Sequence, residues 1–125
     1  MHHLLLVCVG GAVGAGLRYF LGNAIGRLFG IAFPWGTLTI NIAGSLAMGL
    51  FMELLARRLG GSPEARLLVA TGILGGFTTF SSFSMDFALL WERGALGPAA
   101  AYALASFAGS VLALFAGLWL ARSVM

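Results

Sequence analysis

Residues 67–90 read LLVATGILGGFTTFSSFSMDFALL, and the centre of that run, Gly75, Gly76, Phe77, Thr78, Thr79, Phe80, Ser81, Ser82, Phe83 and Ser84, decides how the chain must be built. The flanks are apolar over a length that crosses a bilayer, for which about 20 residues suffice. The centre instead concentrates glycine, hydroxyls and phenyl rings where a simple span carries leucine. Adjacent glycines make helix costly, and threonine and serine offer nearby backbone groups alternative hydrogen bonds. A break is therefore expected near Thr78, the midpoint of the span. Unwound backbone at membrane depth survives only when buried in protein or lining a watery cavity, and exposed carbonyls there can hold a cation. On the residues alone, a kinked helix with satisfied hydroxyls accounts for the pattern equally well.

Outward from this segment, the chain has the composition of a membrane protein. It is 60% hydrophobic and 9% charged, whereas soluble domains carry about 25% charged residues. Three further apolar runs, near residues 4–21, 35–55 and 99–120, make an all-α protein of four transmembrane helices and a single membrane domain over residues 1–125. Trp35 is placed as an interfacial anchor, and Arg57 and Arg58 stop the second span. Ser62 and Pro63 read as a helix cap and first helical residue, and residues 94–98 as a turn. The first run lacks a basic leader and a small-residue cleavage site, so it reads as a retained span. The lone Cys8 rules out an internal disulfide and supplies no metal cluster.

All seven basic residues are arginines, scattered singly except for Arg57 and Arg58, which excludes a contiguous nucleic-acid footprint. An even number of spans puts both termini on one side. That side holds Arg57, Arg58, Arg66 and Arg122, and the other holds Arg18, Arg27 and Arg93. Orientation follows such asymmetry, and here it is close to none. Insertion in both directions is the consequence expected. Two opposed copies then form an antiparallel, dual-topology homodimer with its two-fold axis in the membrane plane, an inverted repeat made from two molecules. Two breaks near Thr78 would meet at one depth.

Small residues recur four apart, at Gly10 and Gly14, Ser45 and Gly49, and Gly72 and Gly76, a spacing that lets helix backbones approach closely in lipid. Gly10, Gly14, Gly49, Gly109 and Gly117 read as packing positions. Phe80 and Phe83 share a helix face, Asn41 adds an amide, and Tyr102, Ser106 and Ser110 stand four apart as one polar line on the fourth span. No fixed charge lies near the centre of a span, with Arg18 peripheral and Asp86 read as the partner of a nearby arginine. Amide and hydroxyl hydrogens and the positive edges of phenyl rings can solvate a small anion without trapping it.

The set Gly11, Gly14, Arg18, Tyr19, then Trp35, Gly36, Thr37, Leu38, Asn41, Gly44, Ser45, Gly49, then Gly72, Gly75, Gly76, Thr78, Thr79, Phe80, Ser81 and Phe83 resembles the fluoride channels of the CrcB or Fluc family. The resemblance implies two pores in an antiparallel homodimer that passively exports fluoride across the prokaryotic cytoplasmic (inner) membrane and protects against its toxicity. It implies that Asn41, Phe80 and Phe83 line the pore, and that Tyr102, Ser106 and Ser110 form a polar track. It implies that carbonyls of Gly75 and Thr78 from both subunits bind a structural sodium ion. Fluoride, membrane lipid and a second copy of the chain are the partners implied. Asp86 departs from the glutamate expected in many relatives.

Two other classes fit the residues less well. A proton-coupled multidrug exporter needs a carboxylate in its first span, and residues 4–21 contain none. A scaffold accounts for the glycines but not for the polar cluster of the third span. Enzyme chemistry is not expected, because His2 and His3 are terminal and no nucleophile is paired with a base.

Overall fold

A computed structural model describes residues 1–125. Helix α1 spans His2–Phe29 and α2 spans Trp35–Arg57. The third span begins with the single turn α3, Pro63–Ala65, continues as a π-helical stretch, Arg66–Leu74, and closes with the turn α4, Gly75–Phe77. Helix α5, Phe80–Glu92, completes the crossing, and α6 spans Leu96–Val124. Four stretches are long and apolar enough to cross a membrane, and the chain is a multi-pass membrane protein.

Local chemistry sets the ends. The α1 helix runs past Gly22 and Gly26, well beyond the expected end at residue 21, and stops where Gly30 takes φ 82°. A glycine inside a helix costs only about 1 kcal/mol, which Leu21 and Ile25 on either side outweigh. Ser62 caps the third span as its sequence suggested, its hydroxyl accepting from the Ala65 N–H at 3.2 Å, with Pro63 following. Gly94, at φ 82°, turns the chain into α6.

Two glycine seams hold the bundle. Along α1, a methyl added at Gly10 would lie 2.9 Å from the Cα of Gly72, and one added at Gly14 would lie 2.8 Å from the Phe77 nitrogen. The relation is reciprocal, since a methyl at Gly72 would meet the Cα of Gly10 at 2.9 Å. Between α2 and α6, Gly49 and Gly117 oppose each other in the same way, each 3.1 Å from where the other's methyl would stand. Gly109 packs against Ile42. Only backbones that carry no side chain approach so closely, which explains the glycine spacing.

Two apolar clusters complete the packing. Leu38 of α2, Leu90 of α5, and Ala99 and Tyr102 of α6 form one, and Phe51 and Leu55 of α2 with Ala70 and Leu74 form the other. Lipid is as apolar as leucine, so these contacts gain by fit rather than by escape from water. Only 18 of 125 residues are buried, too few for a water-soluble fold, and Phe20, Phe107, Phe115 and Trp119 point outward. Near the end of α2, Glu53 pairs with Arg57 at 2.7 Å and with Arg122 of α6 at 3.1 Å, joining the two helices at the side of the bundle that holds both termini.

Candidate functional site

The site is built around two residues that are not helical. Thr78 (φ −83°, ψ 154°) and Thr79 (φ −153°, ψ 120°) are extended between α4 and α5. A buried backbone group needs a partner, and side chains supply several of those lost here. The Thr78 N–H and its hydroxyl both donate to the Leu74 carbonyl, at 3.0 and 2.9 Å. Thr79 caps α5, its hydroxyl accepting from the Ser82 N–H at 3.1 Å.

Asn41 of α2 grips Thr79 from both sides. Its amide nitrogen donates to the Thr79 carbonyl at 3.0 Å, and its amide oxygen accepts from the Thr79 N–H at 2.8 Å. In a continuous helix that N–H would bond the Gly75 carbonyl, so the grip of Asn41 leaves the Gly75 carbonyl without its helical donor. The Thr78 carbonyl accepts no hydrogen bond either. Arg18 comes inward from α1, its Nε donating to the Gly76 carbonyl at 3.1 Å. This corrects its peripheral reading. Because α1 continues eleven residues past Arg18 to Phe29, position 18 lies deep in the span rather than at its end.

A cleft of about 290 Å³ opens beside the extended pair. Asn41, Phe80, Phe83, Ser106 and Ser110 all line it, together with Thr78, Thr79 and Ser45. The phenyl rings of Phe80 and Phe83 lie 5.4 Å apart between centroids, and Phe80 is 79% exposed in the single chain. The Ser106 hydroxyl is buried and has no hydrogen-bond partner. Every polar side chain of the lining is neutral, so the cleft offers hydrogen-bond donors without a fixed charge. Ser45 was not singled out for the site from sequence. Its signal was its place one helical turn beyond Asn41, on the same face of α2.

Tyr102 stands apart from that group. It is fully buried, one turn from Ser106 but outside the cleft, with its ring 5.1 Å from Phe83 and its hydroxyl donating to the Asp86 carboxylate at 3.1 Å. The expected arginine partner of Asp86 is replaced by this phenol, and no arginine pairs with it. Asp86 instead borders a second hollow of about 330 Å³ with Arg18, Asn23, Thr37, Thr79 and Ser82, so the extended pair separates a neutral cleft from a charged one. Gly75 lines neither cleft and is exposed on the surface of the single chain.

Comparison with known proteins agrees along the whole chain. Residues 5–118 match the family model described as CrcB-like protein, Camphor Resistance (CrcB). The chain is 65% identical over 125 residues to the fluoride-specific ion channel FluC of Chelativorans sp. (strain BNC1), covering 100% of both sequences. It is 64% identical over 124 residues to the protein of that name from Mesorhizobium japonicum, covering 99% of each, and 56% identical to the one from Agrobacterium fabrum over the same share. Matched to the family model over residues 5–118 and aligned from end to end with these relatives, this four-span chain belongs to the CrcB-like family.

Proposed function

We propose that this protein is a fluoride channel, and not an enzyme, which passively exports fluoride across the prokaryotic cytoplasmic membrane and so protects against fluoride toxicity. The observation that carries the reading is a cleft beside the extended pair whose polar side chains are all neutral, with the buried, unpaired Ser106 hydroxyl in its wall. An unpaired buried hydroxyl costs about 1–3 kcal/mol, and a small anion in the cleft removes that cost. The positive edges of Phe80 and Phe83 supply the rest of a dry solvation shell. A fixed arginine in the same place would hold the anion too tightly to conduct. Ser106 and Ser110 continue the route along α6, Tyr102 stands beside it with its hydroxyl on Asp86, and Asn41 shapes the cleft by fixing Thr79.

The proposal extends to an antiparallel homodimer with two such pores. The exposed Phe80 and Gly75 support it, because a second copy would cover both. Sodium at the dimer centre fits the donor set: the Gly75 carbonyl lacks its helical donor, and the Thr78 carbonyl accepts no hydrogen bond. A hard cation takes such oxygens readily. With Arg18 drawn inward, the balance of charges between the two sides becomes Arg57, Arg58, Arg66 and Arg122 against Arg27 and Arg93. Labelling of an engineered terminal cysteine therefore decides dual insertion, and modification from one side alone refutes it.

Ion efflux from liposomes containing the purified chain tests the channel. Fluoride is expected to leave and chloride to be retained. Phe80→Ile is expected to abolish fluoride efflux while the protein remains dimeric, and unchanged efflux removes Phe80 from the pore.

A further inference from the structure

At the start of the third span, well before its extended pair, three metal-ligating side chains meet. The Nε2 atoms of His2 and His3, in the first turn of α1, lie 3.8 and 3.6 Å from one carboxylate oxygen of Glu64, Oε1. All three atoms lie within 4.8 Å of one another. These separations are too long for hydrogen bonds. They are close to the spacing around one shared ion. With metal–ligand bonds of about 2.0–2.1 Å, tetrahedral geometry sets neighbouring ligand atoms roughly 3.3 Å apart.

We propose that His2, His3 and Glu64 bind one borderline divalent transition-metal ion, of which Zn2+ is the type. The donor set selects the class: two imidazoles favour zinc, copper or nickel over calcium or magnesium, and the carboxylate neutralises part of the charge. Three protein ligands leave a fourth position for water, and the half-exposed side chains leave that position open. The carboxylate is oriented from behind. Ser62 donates its hydroxyl to the other oxygen, Oε2, at 3.4 Å, which leaves Oε1 toward the imidazoles. Partners of this kind set a ligand's direction and tune affinity.

An ion pair alone accounts poorly for the arrangement. Two imidazolium rings with centroids 4.3 Å apart would repel each other across a single carboxylate oxygen, whereas neutral rings sharing a cation do not. The bound ion would clamp the start of α1 to the start of the third span, a few turns before the seam of Gly10 and Gly72. All three ligands come from one chain, so the site stands or falls independently of the fluoride reading and of dimer pairing.

Calorimetric titration of Zn2+ into the full-length protein in detergent tests it, with Co2+ absorption reporting coordination geometry. One ion per chain is expected, with a tetrahedral Co2+ spectrum. The His2→Ala/His3→Ala double variant and Glu64→Gln are each expected to weaken Zn2+ binding by at least tenfold, with helical circular dichroism unchanged. Ser62→Ala, which frees the carboxylate, is expected to weaken it by about tenfold. No saturable Zn2+ uptake by the parent protein, or uptake of equal affinity in the double variant, overturns the proposal.

Discussion

The glycine seams and the extended pair at Thr78 and Thr79 solve opposite problems. At the seams, helices that need no polar help come so close that any side chain is an obstruction, as Gly49 and Gly117 show by facing each other across α2 and α6. At the pair, the backbone loses helical partners, and side chains replace some of them: Asn41 on Thr79 and Arg18 on Gly76, with the Thr78 hydroxyl adding a second donor on Leu74. One region is held by removing atoms and the other by adding them. Within lipid, then, a missing side chain and a polar side chain serve related ends, the one bringing backbones together and the other bonding backbone groups that a break exposes.

Substitutions sharpen that contrast. Gly49→Val should have the largest effect, because its methyls would drive into the backbone of Leu118 and Gly117. We expect a loss of about 3 kcal/mol or more in the stability of the purified protein, read from unfolding in detergent. Asn41→Leu keeps the branched heavy-atom skeleton but leaves the Thr79 N–H without a partner. A loss of roughly 2 kcal/mol is expected from the same measurement, with faster hydrogen exchange at Thr79. Thr78→Val should be mildest. The Leu74 carbonyl keeps the Thr78 N–H, so the cost is about 0.5–1 kcal/mol. If Gly49→Val proved milder than Thr78→Val, the distinction between the two regions would collapse.

The number and placement of the spans were legible because runs of leucine and alanine need lipid, whatever they pack against. The helix start at Ser62 and Pro63 was legible because capping is local chemistry. Extended Thr78 and Thr79 fall where residues 75–84 concentrate glycine and hydroxyl groups. Contacts across long separations were not legible. Asn41 meets a residue 38 positions away, and Arg18 one 58 positions away. In a soluble helix, the apolar stripe reveals which face turns inward. These helices are apolar on every side, so no stripe announced that Arg18 faces Gly76 or that Tyr102 turns from the polar line toward Asp86.

The third span has divided loyalties. Its first half is locked to α1 through Gly72, whereas its second half lies with α6 through Leu90 and Tyr102. Any sliding of α1 against α6 is therefore passed to the two extended residues between Phe77 and Phe80, of which Thr79 is riveted to α2 by a single amide. Strain delivered anywhere along the outer helices is thus felt first by the threonines that border the cleft.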